Sequence, residues 1–113
     1  MITSRTRVKE DVSIVDLDGK LIAADAVVLY NAVQGLTAKG VSKILINLDG
    51  VDMMDSSGLG ELVRSGKLAA SKAATLKLLN ISRDVRRTLE AAGFLRLFET
   101  FDNETTAVAS FRG

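Results

Sequence analysis

The chain has 113 residues, 47% of them hydrophobic, and a formal net charge of +1. These values suit one folded domain with one core and give no global pull toward nucleic acid or an anionic membrane. There is no cysteine and no histidine, which excludes disulfides, thiol chemistry, Cys-ligated zinc, imidazole metal sites and a Ser-His-Asp triad.

No apolar run reaches the length of a membrane span, and MITSRTRVKEDV at the start lacks the apolar core of a signal peptide. The expectation is a cytoplasmic domain without membrane attachment. In DVSIVDLDGKLI, residues Val12, Ile14 and Leu17 fall on apolar positions of a strand, and Asp18-Gly19 reads as a hairpin turn. Arg5 to Lys9 forms a preceding edge strand. From Asp25 the period becomes helical through Val28, Leu29, Ala32, Val33 and Leu36, with Gly40 as a stop. KILINL, Lys43 to Leu48, is apolar nearly throughout, as in a central strand covered on both faces. A second helix follows DSSG and runs to about Ser71. TLKLLNI is another buried strand, ending near Ile81. Ser82 is placed to cap a helix from Arg83 to Ala92, and Gly93 to end it. LRLFETF reads as a last strand, and Asp102 or Asn103 caps a short helix carrying Ala107, Val108 and Phe111. No proline, linker or repeat divides the chain. Strands followed by alternating helix and strand imply one α/β domain, a mixed sheet with helices packed on it.

The stretch MMDSSGLGEL, Met53 to Leu62, joins a buried strand to a helix, so it should lie at the carboxyl end of a strand, where α/β folds place their sites. Its residues allow three readings. One of Asp55, Ser56 and Ser57 can cap the helix, with Gly58 and Gly60 permitting close backbone approach. A nucleophilic serine fails for want of G-x-S-x-G, of a histidine base and of an adjacent lysine. A phosphorylation switch fits, because a helix N-terminus tolerates a phosphate that makes the surface strongly anionic. Direct anion or nucleotide binding would rely on backbone N–H groups, since no lysine or arginine lies between Lys43 and Arg64.

Helical spacing sets Leu59, Leu62, Val63, Gly66 and Ala70 toward the sheet and Ser57, Glu61, Arg64 and Leu68 on the opposite side. Leu68 is then an exposed apolar contact in line with Ser57. Arg83, Arg86 and Arg87 form a basic cluster, read as a solvated face rather than a nucleic-acid patch. Val27 and Tyr30 point away from the first helix's buried stripe, as self-association contacts or isolated surface residues.

INLDGVDMMDSSGLGELV resembles the signature of STAS-domain anti-sigma factor antagonists, in which an apolar strand leads into D-S-S-G-x-G and a helix. The likeness continues through LKLLNISRDVRRTLEAAGFLRLFETFDNETTAVASF and covers the chain from about Val12. It implies a single STAS domain over residues 1–113, with its core at about 5–111. It further implies a mixed sheet of four or five strands with about four helices largely on one face. No catalytic residue, metal site or cofactor is expected. The implied role is partner switching. The unphosphorylated antagonist binds an anti-sigma factor that is also a GHKL-type serine kinase. Phosphorylation on Ser57 weakens that complex, and a PP2C-type phosphatase resets it. Asp55, Ser56, Ser57, Gly58, Glu61, Arg64 and Leu68 are the expected partner-binding residues. GKLIAAD departs from the family pattern: Ile22 stands where many members carry an acidic residue, and Asp25 follows. The alternative is a constitutive STAS scaffold or adaptor in another partner-switching or stressosome-like pathway, with Ser57 only a cap. A monomer is the default state, with a weak dimer through exposed helices as the variant.

Overall fold

A computed structural model describes residues 1–112. Two strands open the chain, β1 (Ile2–Lys9) and β2 (Val12–Leu21). They form an antiparallel hairpin whose turn is Glu10-Asp11. Both turn residues have positive φ, 49° and 74°, the backbone a two-residue hairpin loop requires. Asp18-Gly19 is therefore not the turn. Gly19 lies inside β2 at φ 125°, where a Cβ would collide with the Met1 carbonyl oxygen. Glycine is needed there because β1 begins against it.

A short 3-10 turn (Ala23–Ala26) leads into α1 (Val27–Ala38), which buries Leu29, Val33 and Leu36. Gly40, at φ 82°, ends the element. Strand β3 (Lys43–Met54) runs six residues past the apolar KILINL segment and stays paired to β2, with register shifts, as far as Leu21↔Met54. Helix α2 (Ser56–Ser71), strand β4 (Thr75–Leu79) and helix α3 (Arg83–Ala91) follow. The Ser82 hydroxyl accepts from the Val85 amide at 3.2 Å, which caps α3 as its sequence indicates.

LRLFETF is not a strand over its length. Leu95–Leu97 form a 3-10 turn, and β5 is only Thr100–Phe101, paired with Leu78 and Leu79. Phe94, Leu95 and Phe98 turn inward onto the core, so packing overrides the extended pattern. Helix α4 (Glu104–Ala109) starts at Asn103, whose side chain accepts from the Thr106 amide at 2.9 Å.

The strand order is β1-β2-β3-β4-β5, with only the first pair antiparallel. Right-handed crossovers in that order put α1, α2 and α3 on one face. There Leu29, Val33, Leu62, Val85 and Leu89 join Val15, Ile44, Ile46 and Leu78 in the larger core. The other face is covered by α4, whose Ala107 and Val108 bury Val12, Ile14, Leu45 and Leu79. Two-sided burial explains why β3 is apolar nearly throughout its first half, with Lys43 and Asn47 the exceptions.

Candidate functional site

The carboxyl ends of β2 and β3 lie side by side, and α2 starts at once from the second. Asp55 has extended backbone, and its carboxylate accepts from the Gly58 amide at 3.0 Å. Its second oxygen accepts from the Ala23 amide, also at 3.0 Å. One side chain thus caps α2 and ties the turn after β2 to it. The Gly58 amide above all, then that of Ala23, holds the Asp55 carboxyl below its usual range, since N–H bonds favour the charged form.

The cap is therefore Asp55, not either serine. Ser56 and Ser57 occupy the first two helical positions and are exposed. Gly58 is buried, and a Cβ there would strike the Leu21 carbonyl oxygen and the Met54 side chain. The helix can begin this close to β2 only because that side chain is missing. Gly60 behaves differently: nothing lies within 4 Å of its hypothetical Cβ.

Ser57, Gly60, Glu61 and Arg64 form one wall of an open groove of about 630 Å³. Ala23, Ala24 and Val27 form the other. Arg64 donates to Glu61 at 3.1 Å, and its guanidinium lies 3.6 Å above the centre of the Tyr30 ring, a cation–π stack between α2 and α1. Of the residues expected on this face, Ser57, Glu61 and Arg64 come together.

Leu68 does not. It is half-buried and packs against the larger core, so it is no exposed contact. Ala70, assigned to the buried stripe, is exposed, whereas Ser65 and Ala69 are buried. The buried side of α2 is rotated because α1 packs along its flank as well as the sheet beneath. A single-helix wheel contains no such second neighbour.

Spacing alone leaves Ala23 and Ala24 unassigned, and it gives Gly60 a close backbone approach rather than its place in the groove wall. Two alanines in a turn carry no distinctive signal, and their position follows from the Asp55–Ala23 bond across 32 residues. Val27 and Tyr30 stand off the buried stripe in sequence, but only the α1–α2 contact gives them a place beside Arg64. The basic residues Arg83, Arg86 and Arg87 are exposed on α3, and Arg87 lies 3.8 Å from Asp84. No cluster of three metal-ligating side chains occurs among the described residues, and none of their helices is long and apolar enough to cross a membrane.

A family model described as STAS domain matches residues 3–107. The anti-sigma F factor antagonist of Paenibacillus polymyxa is 31% identical over 65 residues, which are 58% of this chain. The chain spans only 56% of that relative's length. An anti-sigma factor antagonist from Mycobacterium paratuberculosis has a solved structure that superposes with a TM-score of 0.87 at 20% identity. That match covers 100% of this chain and 96% of the other. The Bacillus cell-fate determinant SpoIIAA, solved in its phosphorylated form, gives a TM-score of 0.75 at 20% identity, over 97% and 100% of the two chains. The two solved structures establish likeness of fold.

Proposed function

The chain belongs to the STAS domain family, and from that premise we propose that it is a phospho-regulated antagonist of an anti-sigma factor, switched at Ser57. The partner is a GHKL-type serine kinase that binds the groove around Ser57 while the hydroxyl is free. It transfers the γ-phosphoryl of ATP to Ser57 Oγ: the new P–O bond forms, the bond to ADP breaks, and the hydroxyl proton passes to a base on the kinase. A PP2C-type phosphatase restores the serine by hydrolysis, releasing inorganic phosphate.

The observation that carries this reading is the division of labour at the start of α2. Asp55 holds the cap, which leaves Ser57 exposed on the first turn, where the helix N-terminus favours added negative charge. The likeness to an antagonist and to a protein solved in phosphorylated form adds support. In the constitutive-scaffold alternative Ser57 served as the cap, a role that Asp55 holds instead.

The test is incubation of the chain with ATP and a GHKL-type serine kinase that binds it, followed by mass spectrometry. Phosphate on Ser57 is the expected result; a kinase that binds the chain yet leaves Ser57 unmodified overturns the reading. Ser57→Ala should bind the kinase persistently. Ser57→Asp should bind weakly, although one carboxylate only partly imitates a phosphate.

A further inference from the structure

Among the described residues, Arg64 is the only cation lining the groove that contains Ser57, and its present partners hold it loosely. The ion pair with Glu61 is exposed on the arginine side, at 56% against 20% for the glutamate, and such pairs are weak. The Tyr30 stack adds a second modest attraction. Ser57 and Arg64 are seven residues apart, nearly two full turns, so they share one face about 10 Å apart along the axis. Helical side chains lean toward the N-terminus. The Arg64 guanidinium has accordingly already climbed one turn, to Glu61. Glu61 is itself four residues from Ser57, the spacing at which like charges repel on a helix.

We propose that a phosphate on Ser57 captures Arg64. The phosphate repels Glu61 and attracts the guanidinium, which leaves Tyr30 and Glu61 for the dianion. Modification then acts twice: it adds charge, and it removes the cation from the wall on which the partner docks. Of the other charged groups around the start of α2, Asp55 and Asp25 are acidic, and Asp25 is ion-paired at 3.7 Å with the exposed Met1 ammonium; that cation is present in every variant compared, so the difference between wild type and Arg64→Gln reports the guanidinium. The inference deepens the proposed switch and rests on Ser57 being the modified residue.

Phosphoserine can be installed at position 57 of the full chain by genetic encoding, without any kinase. Phosphorus NMR then titrates the second ionisation of the phosphate, normally near pH ~6, in wild type, Arg64→Gln and Arg64→Lys. Capture predicts a value about 0.2–0.7 unit lower in wild type than in Arg64→Gln, with Arg64→Lys restoring part of the difference. Tyr30 is the chain's only tyrosine beside four phenylalanines, so selective ring labelling of tyrosine gives one unambiguous set of resonances. They should move, on phosphorylation of the wild type, toward their positions in unmodified Arg64→Gln. Equal phosphate titrations, or Tyr30 resonances that stay in place, overturn the capture. Neither readout involves a kinase, so a chain that no kinase modifies would end the proposed function and leave this result standing.

Discussion

At the residue scale, the DSSG motif distributes three jobs that look interchangeable in sequence. Asp55 caps and cross-links, Ser57 is left free, and Gly58 makes room. Each assignment has a measurable counterpart. Ser57→Ala should change stability by no more than about 0.5 kcal/mol, as expected of an exposed position that caps nothing. Asp55→Ala should clearly lower the thermal midpoint, while Asp55→Asn keeps an acceptor for the Gly58 amide and should recover most of the loss. Gly58→Ala should cost about 1–3 kcal/mol, because its methyl meets a backbone carbonyl that cannot swing aside. Chemical denaturation of the four variants checks the order. A destabilised Ser57→Ala beside a normal Asp55→Ala would reverse the assignment. Asp, Ser and Ser are all good caps, so composition could not choose among them; the choice follows from where the chain leaves β3.

At the element scale, helices were legible and strand limits were not. Helix α1 shows its buried stripe at Leu29, Val33 and Leu36, and α3 has a cap and a stop in the expected places. Such signals are local. The turn at Glu10-Asp11 has neither glycine nor asparagine, and β5 shrinks to two residues, because pairing and packing decide both. The attachment of α4 is equally non-local. Arg7 on β1 donates to Asp16 at 2.7 Å and to Glu104, the first residue of α4, at 2.6 Å. The Arg7 guanidinium, bonded to each, holds both carboxyls below their ordinary range. A carboxyl depressed in the fold adds stability above its unfolded value and loses it as pH falls through the folded one. Wild type should therefore exceed Arg7→Gln in thermal midpoint near pH ~7, and the gap should close as pH drops below about 4. Midpoints measured across that range test this; a gap independent of pH would mean the tie is one of packing alone.

At the scale of the whole molecule, the sheet separates two territories. The groove, α1, α2 and α3 belong to the larger core, and α4 with its smaller core lies across the strands. The nearly continuous apolar run of KILINL indicated that β3 is covered on both sides, yet not that six residues of α4 would supply the second cover. Nothing in ETTAVA marks it as the partner of Val12 and Leu45 rather than of the opposite face. The separation has a consequence for the switch. Val108 is 2% exposed and packs only into the smaller core. Val108→Ala removes buried methyl groups and should cost about 1–3 kcal/mol. Because no element of the groove touches that side chain, the cost should add to that of a groove variant such as Arg64→Gln within about 0.5 kcal/mol. The rate at which a cognate kinase modifies Ser57 should likewise be unchanged at temperatures where the variant is folded. Denaturation of both single variants and the double variant supplies the first measurement, and a phosphorylation time course the second. A coupling well above that margin, or a slowed modification of fully folded Val108→Ala, would show that the sheet transmits between its faces instead of insulating them.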